Sequence, residues 1–411
     1  MSSISSVLEL LERCYVPKLS RNFEESENHP EFKKWETNLS EHFPTLMDLL
    51  NDLDPKEHGS LSSVLSSILL LYYQLDSKDK WNNNKCEECI KKLDIQLEVL
   101  YGITSCDNLL MSNKDTTTQE LFDISIDVLH KKLNPDEFKM YPALIEAYCM
   151  IVKDIMYYDI EIKPVTVLPI SLLLIEDYVN ENRLKGLKSC LATLNCLTPE
   201  HFSDGNYYEV IYNVLKKLIL ESDLEVTKWV LDCLFILFQL LPSSVKVTTV
   251  DDTLGIILEQ MYTETNLYRK KAFFRFINKI IHMHRLHCAK RTMFLTVICD
   301  NLDTCSNSGV AEILLSDTLE CLENWVKYCW CVWKLSQNQK LMSTLIKMLY
   351  ICHKEKDALA KMQTIFLTLY KLCTESEKKA IYNNIEKSIP EFKDLNEAFA
   401  ERLEDIKSSM T

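Results

Sequence analysis

Between Tyr207 and Leu220 the apolar residues Tyr207, Val210, Ile211, Val214, Leu215, Leu218 and Ile219 recur at steps of three and four. This spacing places side chains on one face of an α-helix. Glu209, Asn213, Lys216 and Lys217 take the opposite face. The next segment is expected to begin at Ser222, with Glu225 three residues on as the partner in a capping box. It then runs almost wholly apolar from Val226 to Leu241. An amphipathic helix followed by a nearly all-apolar one is the pattern of an outer and an inner helix in a stacked pair.

The alternation recurs. Leu341, Leu345, Met348, Leu349 and Cys352 form one stripe, and Leu359, Met362, Ile365, Phe366, Leu369, Leu372 and Cys373 form the next. Helix starts are expected at Asn134 with Pro135 and Glu137, at Thr198 with Pro199, and at Thr374 with Glu377. About eighteen such segments make roughly nine pairs at the spacing of about 40 to 47 residues that suits HEAT or armadillo units. The pattern therefore predicts an all-α fold, an α-solenoid of about nine HEAT/armadillo-like helix pairs, with no strand-like alternation in competition. Polar stretches near 18–31, 76–86, 104–118 and 242–252 interrupt it. The third divides the chain into an N-terminal helical region (1–104), a hinge or mobile loop (105–118) and the main array (119–411), although one continuous array gives almost the same pattern.

Composition supports helices over sheets. The 411 residues include only 6 glycines and 11 prolines, too few for the turns of a sheet protein. A formal charge of −14 argues against a protein whose main task is to neutralise nucleic-acid phosphates. The N-terminal MSSISSVLELLERC has neither a basic leader nor a long apolar core, so no secretory signal is expected. The apolar runs fall short of the roughly 18 residues of a membrane span. Sixteen cysteines, many in apolar helical runs, are read as reduced and mostly buried, which points to cytosol or nucleus.

Few residues suggest chemistry. The closest two glycines, Gly186 and Gly205, are too far apart for a phosphate-cradling loop. Asp251 and Asp252 are paired carboxylates, but Gly255 stands where a third would complete a magnesium cluster, so a helix N-terminus is the preferred account. His282, His284, His287 and Cys288 are dense, yet His282 and His284 point about 200° apart on a helix. Arg269, Lys270, Lys271, Arg275, Lys279, Arg285, Lys290 and Arg291 surround them as a basic patch, with Arg269 and Lys270 as candidate partner-binding residues. Cys86 and Cys89 form a lone CxxC without the βαβ setting of a redox motif. In the run YCWCVW and just before it, Trp325 and Trp333 are candidate partner anchors, Trp325 foremost. No nucleophile elbow is present. No catalytic, metal or cofactor site is expected.

At residues 167–194, VLPISLLLIEDYVNENRLKGLKSCLATL, the chain resembles the TELO-two-interacting protein two family, the smallest subunit of the TTT complex. The segment has the family's form VLP-x-SL, then DDY, an Asn, a Gly and a Leu-rich helix. Val167, Leu168, Pro169, Ser171, Leu172, Asp177, Tyr178, Asn182 and Gly186 match it, with Glu176 in place of the first aspartate. Agreement continues more loosely over about 160–350. Physically, Pro169 interrupts or begins a helix, Asp177, Tyr178 and Asn182 offer polar groups at a helix junction, and Gly186 admits a close neighbour. These residues are read first as fixing a repeat junction.

The resemblance implies a non-catalytic subunit that binds the large HEAT-repeat subunit of the TTT complex. Through it the chain would join the TELO-two protein and the heat-shock protein 90 machinery that matures phosphatidylinositol 3-kinase-related kinases, in cytoplasm and nucleus, with no nucleic acid or membrane involved. Another HEAT-type adaptor, a nuclear transport receptor or a phosphatase scaffold, is the alternative.

Overall fold

The computed structural model describes residues 2–23, 29–52, 58–111, 118–202, 205–352 and 356–410. Among them lie eighteen α-helices, with short 3-10 turns between some of them and no strand. The chain divides into two compact units, 1–214 and 215–411.

The first unit holds α1 (Ser2–Cys14), α2 (Pro30–Asn51), α3 (His58–Asp76), α4 (Asn84–Tyr101), α5 (Thr118–Lys132), α6 (Pro142–Lys153), α7 (Pro164–Ile175) and α8 (Asn180–Leu194). Successive helices pair α1 with α2, α3 with α4, α5 with α6 and α7 with α8, while α1, α3, α5 and α7 stack on one another in a single layer. Helix α9 (Tyr207–Leu218) carries the division between the units. Its Ile211, Val214, Leu215 and Leu218 are buried as the periodicity predicts, whereas Tyr207 and Val210 are exposed.

The second unit continues with α10 (Leu224–Leu240), α11 (Ser243–Thr263), α12 (Leu267–His284), α13 (Met293–Thr304), α14 (Ser308–Cys329), α15 (Leu335–Ile351), α16 (Lys356–Lys371), α17 (Glu375–Lys393) and α18 (Glu397–Ser408). Here two layers are regular: α10, α12, α14 and α16 stack in order, and α11, α13 and α15 stack beside them. From α10 to α14 each helix thus meets the helix two places on, the packing of HEAT/armadillo-like pairs. Polar bonds tie equivalent positions of successive pairs. Arg275 donates to Asp317 at 3.0 Å and Asn278 to Glu320 at 2.8 Å, each 42 residues apart. Arg291 to Asp251 and Lys340 to Asp300 span 40 residues, and Lys347 to Asp303 spans 44. These separations fall within the expected repeat length, so the polar ladder carries the same period as the core.

Several local expectations are corrected. The N-cap of α10 is Asp223, whose side chain accepts from the Val226 N–H at 2.8 Å, so Ser222 and Glu225 form no box. Asn134 accepts from the N–H groups of Asp136 and Glu137, both at 3.1 Å, but opens a turn, and the helix starts at Pro142 instead. Thr198 and Pro199 lead only into the 3-10 turn Pro199–Phe202. The Thr374–Glu377 capping box is present. The polar stretch 242–252 is not a loop, because α11 begins at Ser243.

The expected boundary at 105–118 is also displaced. Residues 112–117 lie outside the described residues, but Cys106, Leu109 and Leu110 before them are buried in a 3-10 turn. Helix α3 packs on both α5 and α6. The N–H groups of Leu19 and Phe23 donate to the carbonyls of Met140 and Lys139 at 2.9 and 3.0 Å. Residues 1–104 therefore share a unit with α5 to α8.

Candidate functional site

The family-like segment folds as the junction between α7 and α8. Gly186 sits where the two helices touch: a Cβ there would lie 2.7 Å from both the Ile175 nitrogen and the Ser171 carbonyl oxygen. No side chain larger than hydrogen fits without moving backbone. Pro164, not Pro169, begins α7, and Pro169 stands inside the helix with its ring exposed. A side-chain hydroxyl reaches the same turn, with Tyr148 Oη 2.8 Å from the Val167 carbonyl and 2.6 Å from the Ser171 hydroxyl.

The polar half of the motif closes the connection after α7. Asp177 is buried and accepts from Asn182 Nδ2 at 2.7 Å and from the Val179 N–H at 3.3 Å. Its charge is met by Lys139 at 2.6 Å. A buried carboxylate needs such a set of partners to offset its desolvation. Tyr178 differs from its neighbours: it is 70% exposed, and Lys139 Nζ lies 3.6 Å from the centre of its ring. Lys139 stands far back along the chain, in the link before α6, so no local pattern marks it. Asp177, Asn182 and Gly186 thus build the junction, Pro169 lies within the helix that leads into it, and Tyr178 is the aromatic of the motif that faces outward.

Close by, Asp79, Glu146 and Glu181 bring carboxylate oxygens within 4.8 Å of one another. Lys185 binds Glu146 and, at 2.5 Å, Glu181. Burial pushes the Glu146 carboxyl up against the pull of Lys185, with Asp79 adding to the rise. Two of the three, Glu146 and Glu181, are thus held by one ammonium group. Sequence spacing carries no sign of it, because its members come from three separate parts of the chain.

The basic patch on α12 resolves into different roles. Arg269 is 3% exposed. Its Nε donates to the Thr227 hydroxyl at 2.9 Å, an Nη donates to the Ile219 carbonyl at 2.7 Å, and it pairs with Glu264. Burial opposes ionisation of Glu264, yet the Asn266 N–H and the Arg269 guanidinium hold its carboxyl below the usual range. Arg269 is consumed inside the fold and offers no charge to a partner. Lys270 is half-buried, and burial lowers its pKa. Trp325 is buried and stacks on Phe294 with ring centres 6.0 Å apart, while Trp333 is also buried and Trp330 is 56% exposed. Of the candidate partner residues, Arg269 and Trp325 are thereby corrected, since both belong to the core, while Lys270 is half-covered. The spacing signal could not separate them, because α12 buries Arg269 on the same face as Phe273, Phe276 and Ile280.

Along another side of α12, at steps of three and four, Tyr268, Arg275 and Lys279 are exposed and Lys271 is half-buried. With Lys228, Leu231 and Asp232 of α10 and with Ala272 and Phe276 they line an open groove of about 570 Å³.

The other constellations have structural partners. Asp251 takes two bonds from Arg291, at 3.0 and 2.8 Å, and Asp252 pairs with Lys216 at 2.6 Å. Both lie about two turns into α11, so the helix-terminus account is corrected as well. At Gly255 the Arg291 guanidinium fills the space of a side chain, 2.7 Å from where a Cβ would be. His284 is buried, its ring centre 4.9 Å from that of His287, and burial followed by His287 pushes its pKa down to about 4. Cys86 and Cys89 are buried and burial pushes both thiols up. Thirteen of the sixteen cysteines are buried, and Cys331 is exposed. Among the described residues, no helix is long and apolar enough to cross a membrane.

Comparison with known proteins bears out the family resemblance read in the sequence. The chain is similar to TELO2-interacting protein 2 of Rattus norvegicus, 21% identical over 93% of this chain and 78% of that protein. No family model matches. Among solved structures it is similar to Kap121p bound to RanGTP, with a TM-score of 0.46 and 10% identity over 95% of this chain and 35% of that one. It is also similar to SYS-1, with a TM-score of 0.43 and 12% identity over 100% of this chain and 78% of that one.

Proposed function

We propose that this chain is a scaffold subunit of the TTT complex that acts by binding and not by catalysis. The observation that carries this reading is the similarity to TELO2-interacting protein 2 along 93% of the chain, joined to stacked helix pairs whose exposed faces are available for a partner. In this reading the chain binds the large HEAT-repeat subunit directly. It reaches the TELO-two protein and the heat-shock protein 90 machinery through that subunit, supporting the maturation of phosphatidylinositol 3-kinase-related kinases. A contact of at least about 1,600 Å² is expected between two such proteins. The Asp177–Asn182–Gly186 junction would hold α7 and α8 in the geometry that presents Tyr178.

Affinity purification of the full chain from its own cells, followed by mass spectrometry, tests the proposal. Recovery of the large HEAT-repeat subunit and the TELO-two protein is the expected result. Recovery of transport factors or phosphatase subunits in their place would sink it.

A further inference from the structure

The groove between α10 and α12 has a chemistry unlike the balance of the chain. Four cations, Lys228, Lys271, Arg275 and Lys279, line it with one carboxylate, Asp232, on a protein whose formal charge is −14. Asp317 of α14 supports two of them from below, at 3.0 Å from Arg275 and 3.7 Å from Lys271, with only 14% of its own side chain exposed against 64% for that of Arg275. The carboxylate is covered and the guanidinium faces solvent. Tyr268 stands 59% exposed at one end, and Leu231 and Phe276 form an apolar floor.

From Tyr268 to Lys279 the face runs about 16 Å along the helix. That length suits about five residues of an extended peptide or three turns of a helix. The groove is open along its length, whereas a small-molecule site encloses most of its ligand's surface. Cations above an apolar floor, with an aromatic at one end, match a segment that carries both carboxylates and apolar side chains. A nucleic-acid strand fits less well, because it would extend from this one groove onto a predominantly acidic chain.

We propose that the groove binds an acidic, partly apolar segment of a partner protein, with carboxylates on Lys228, Lys271, Arg275 and Lys279 and an apolar side chain between Tyr268 and Phe276. This rests on the reading of the chain as a partner-binding scaffold and adds the chemistry of what it binds. Sequence alone pointed to Arg269 and Lys270 for this role. Here it falls instead to Lys271, Arg275 and Lys279 of the same helix and to Lys228 of α10.

Fluorescence anisotropy on the full chain tests it with three labelled probes: a peptide alternating glutamate and leucine, the same peptide with glutamine for glutamate, and a single-stranded oligonucleotide of equal length. The acidic peptide is expected to bind best and to weaken as salt rises. The double variant Lys228→Glu with Lys279→Glu is expected to weaken it about tenfold, which corresponds to roughly 1.4 kcal/mol, while Lys340→Glu, on the other layer, leaves it unchanged. Thermal melts confirm that the variants fold, and Lys228→Gln with Lys279→Gln serves if the reversal does not. Equal binding of acidic and neutral peptides, unchanged binding by the folded double variant, or preference for the oligonucleotide would overturn the proposal. Purification of the same double variant from cells separates the two readings. TTT subunits retained while the peptide is lost leave the scaffold reading intact, and a wild-type chain that recovers none of them defeats that reading whatever the peptide does.

Discussion

At the residue level, burial decides what each charged or special side chain does. Arg269 and Lys279 look alike in sequence, both cations on one basic helix, but Arg269 is enclosed with Glu264 and Lys279 meets Asp232 at 3.3 Å near the surface. Arg269→Glu should destabilise the chain by about 3 to 5 kcal/mol, because it leaves Glu264 facing a second buried carboxylate. Lys279→Glu should change stability by no more than about 1 kcal/mol. Chemical denaturation of the two variants measures both. Gly186→Ala should cost about 1 to 3 kcal/mol through the clash with the α7 backbone, visible as a lower Tm. His284 supplies a pH dependence. Its folded pKa, near 4, lies below the ordinary 6.5, so between these values the unfolded chain binds more protons. Its contribution is complete above about pH 6.5 and is lost as pH falls towards 4, and His284→Leu should flatten the slope of Tm against pH in that window. The close approach at Gly186 was legible from residue type, whereas Pro169 neither begins nor interrupts its helix. Lys139 was not, since its partner Asp177 is distant along the chain and nothing local ties them.

At the element level, periodicity located most helices and misplaced several ends. The stripe of α16, with Leu359, Met362, Ile365, Phe366 and Leu369, is buried as expected, because a single-sided apolar pattern leaves one way to hide it. Starts were harder. Ser222 and Asp223 are both good capping residues, and only the backbone path shows that Asp223 holds the Val226 N–H. Asp223→Ala should therefore cost about 1 kcal/mol in an equilibrium unfolding measurement, while Ser222→Ala costs less than about 0.5 kcal/mol. Asn134 with Pro135 carried the residues of a helix start and made a turn, since the same asparagine side chain serves both. The stretch 242–252 is polar because it is the solvated first half of α11, not because it is a loop.

For the whole molecule, the repeat period was legible before the packing. Apolar stripes recurring in pairs implied the layers α10–α12–α14–α16 and α11–α13–α15, and the bonds spanning 40 to 47 residues supply a second, polar reading of the same period. The division at 214/215 was not legible, because α9 crosses it without a change in composition. Nor was the groove on α12, whose cations could be told from Arg269 only by burial. The central claim is that this chain works by holding a partner of the TTT complex. Co-expression of the full chain with the large HEAT-repeat subunit, followed by size-exclusion chromatography with light scattering, measures that directly. A single peak with the summed mass of both chains is the predicted result. Two peaks, each with the mass of one chain alone at micromolar concentration, would contradict it.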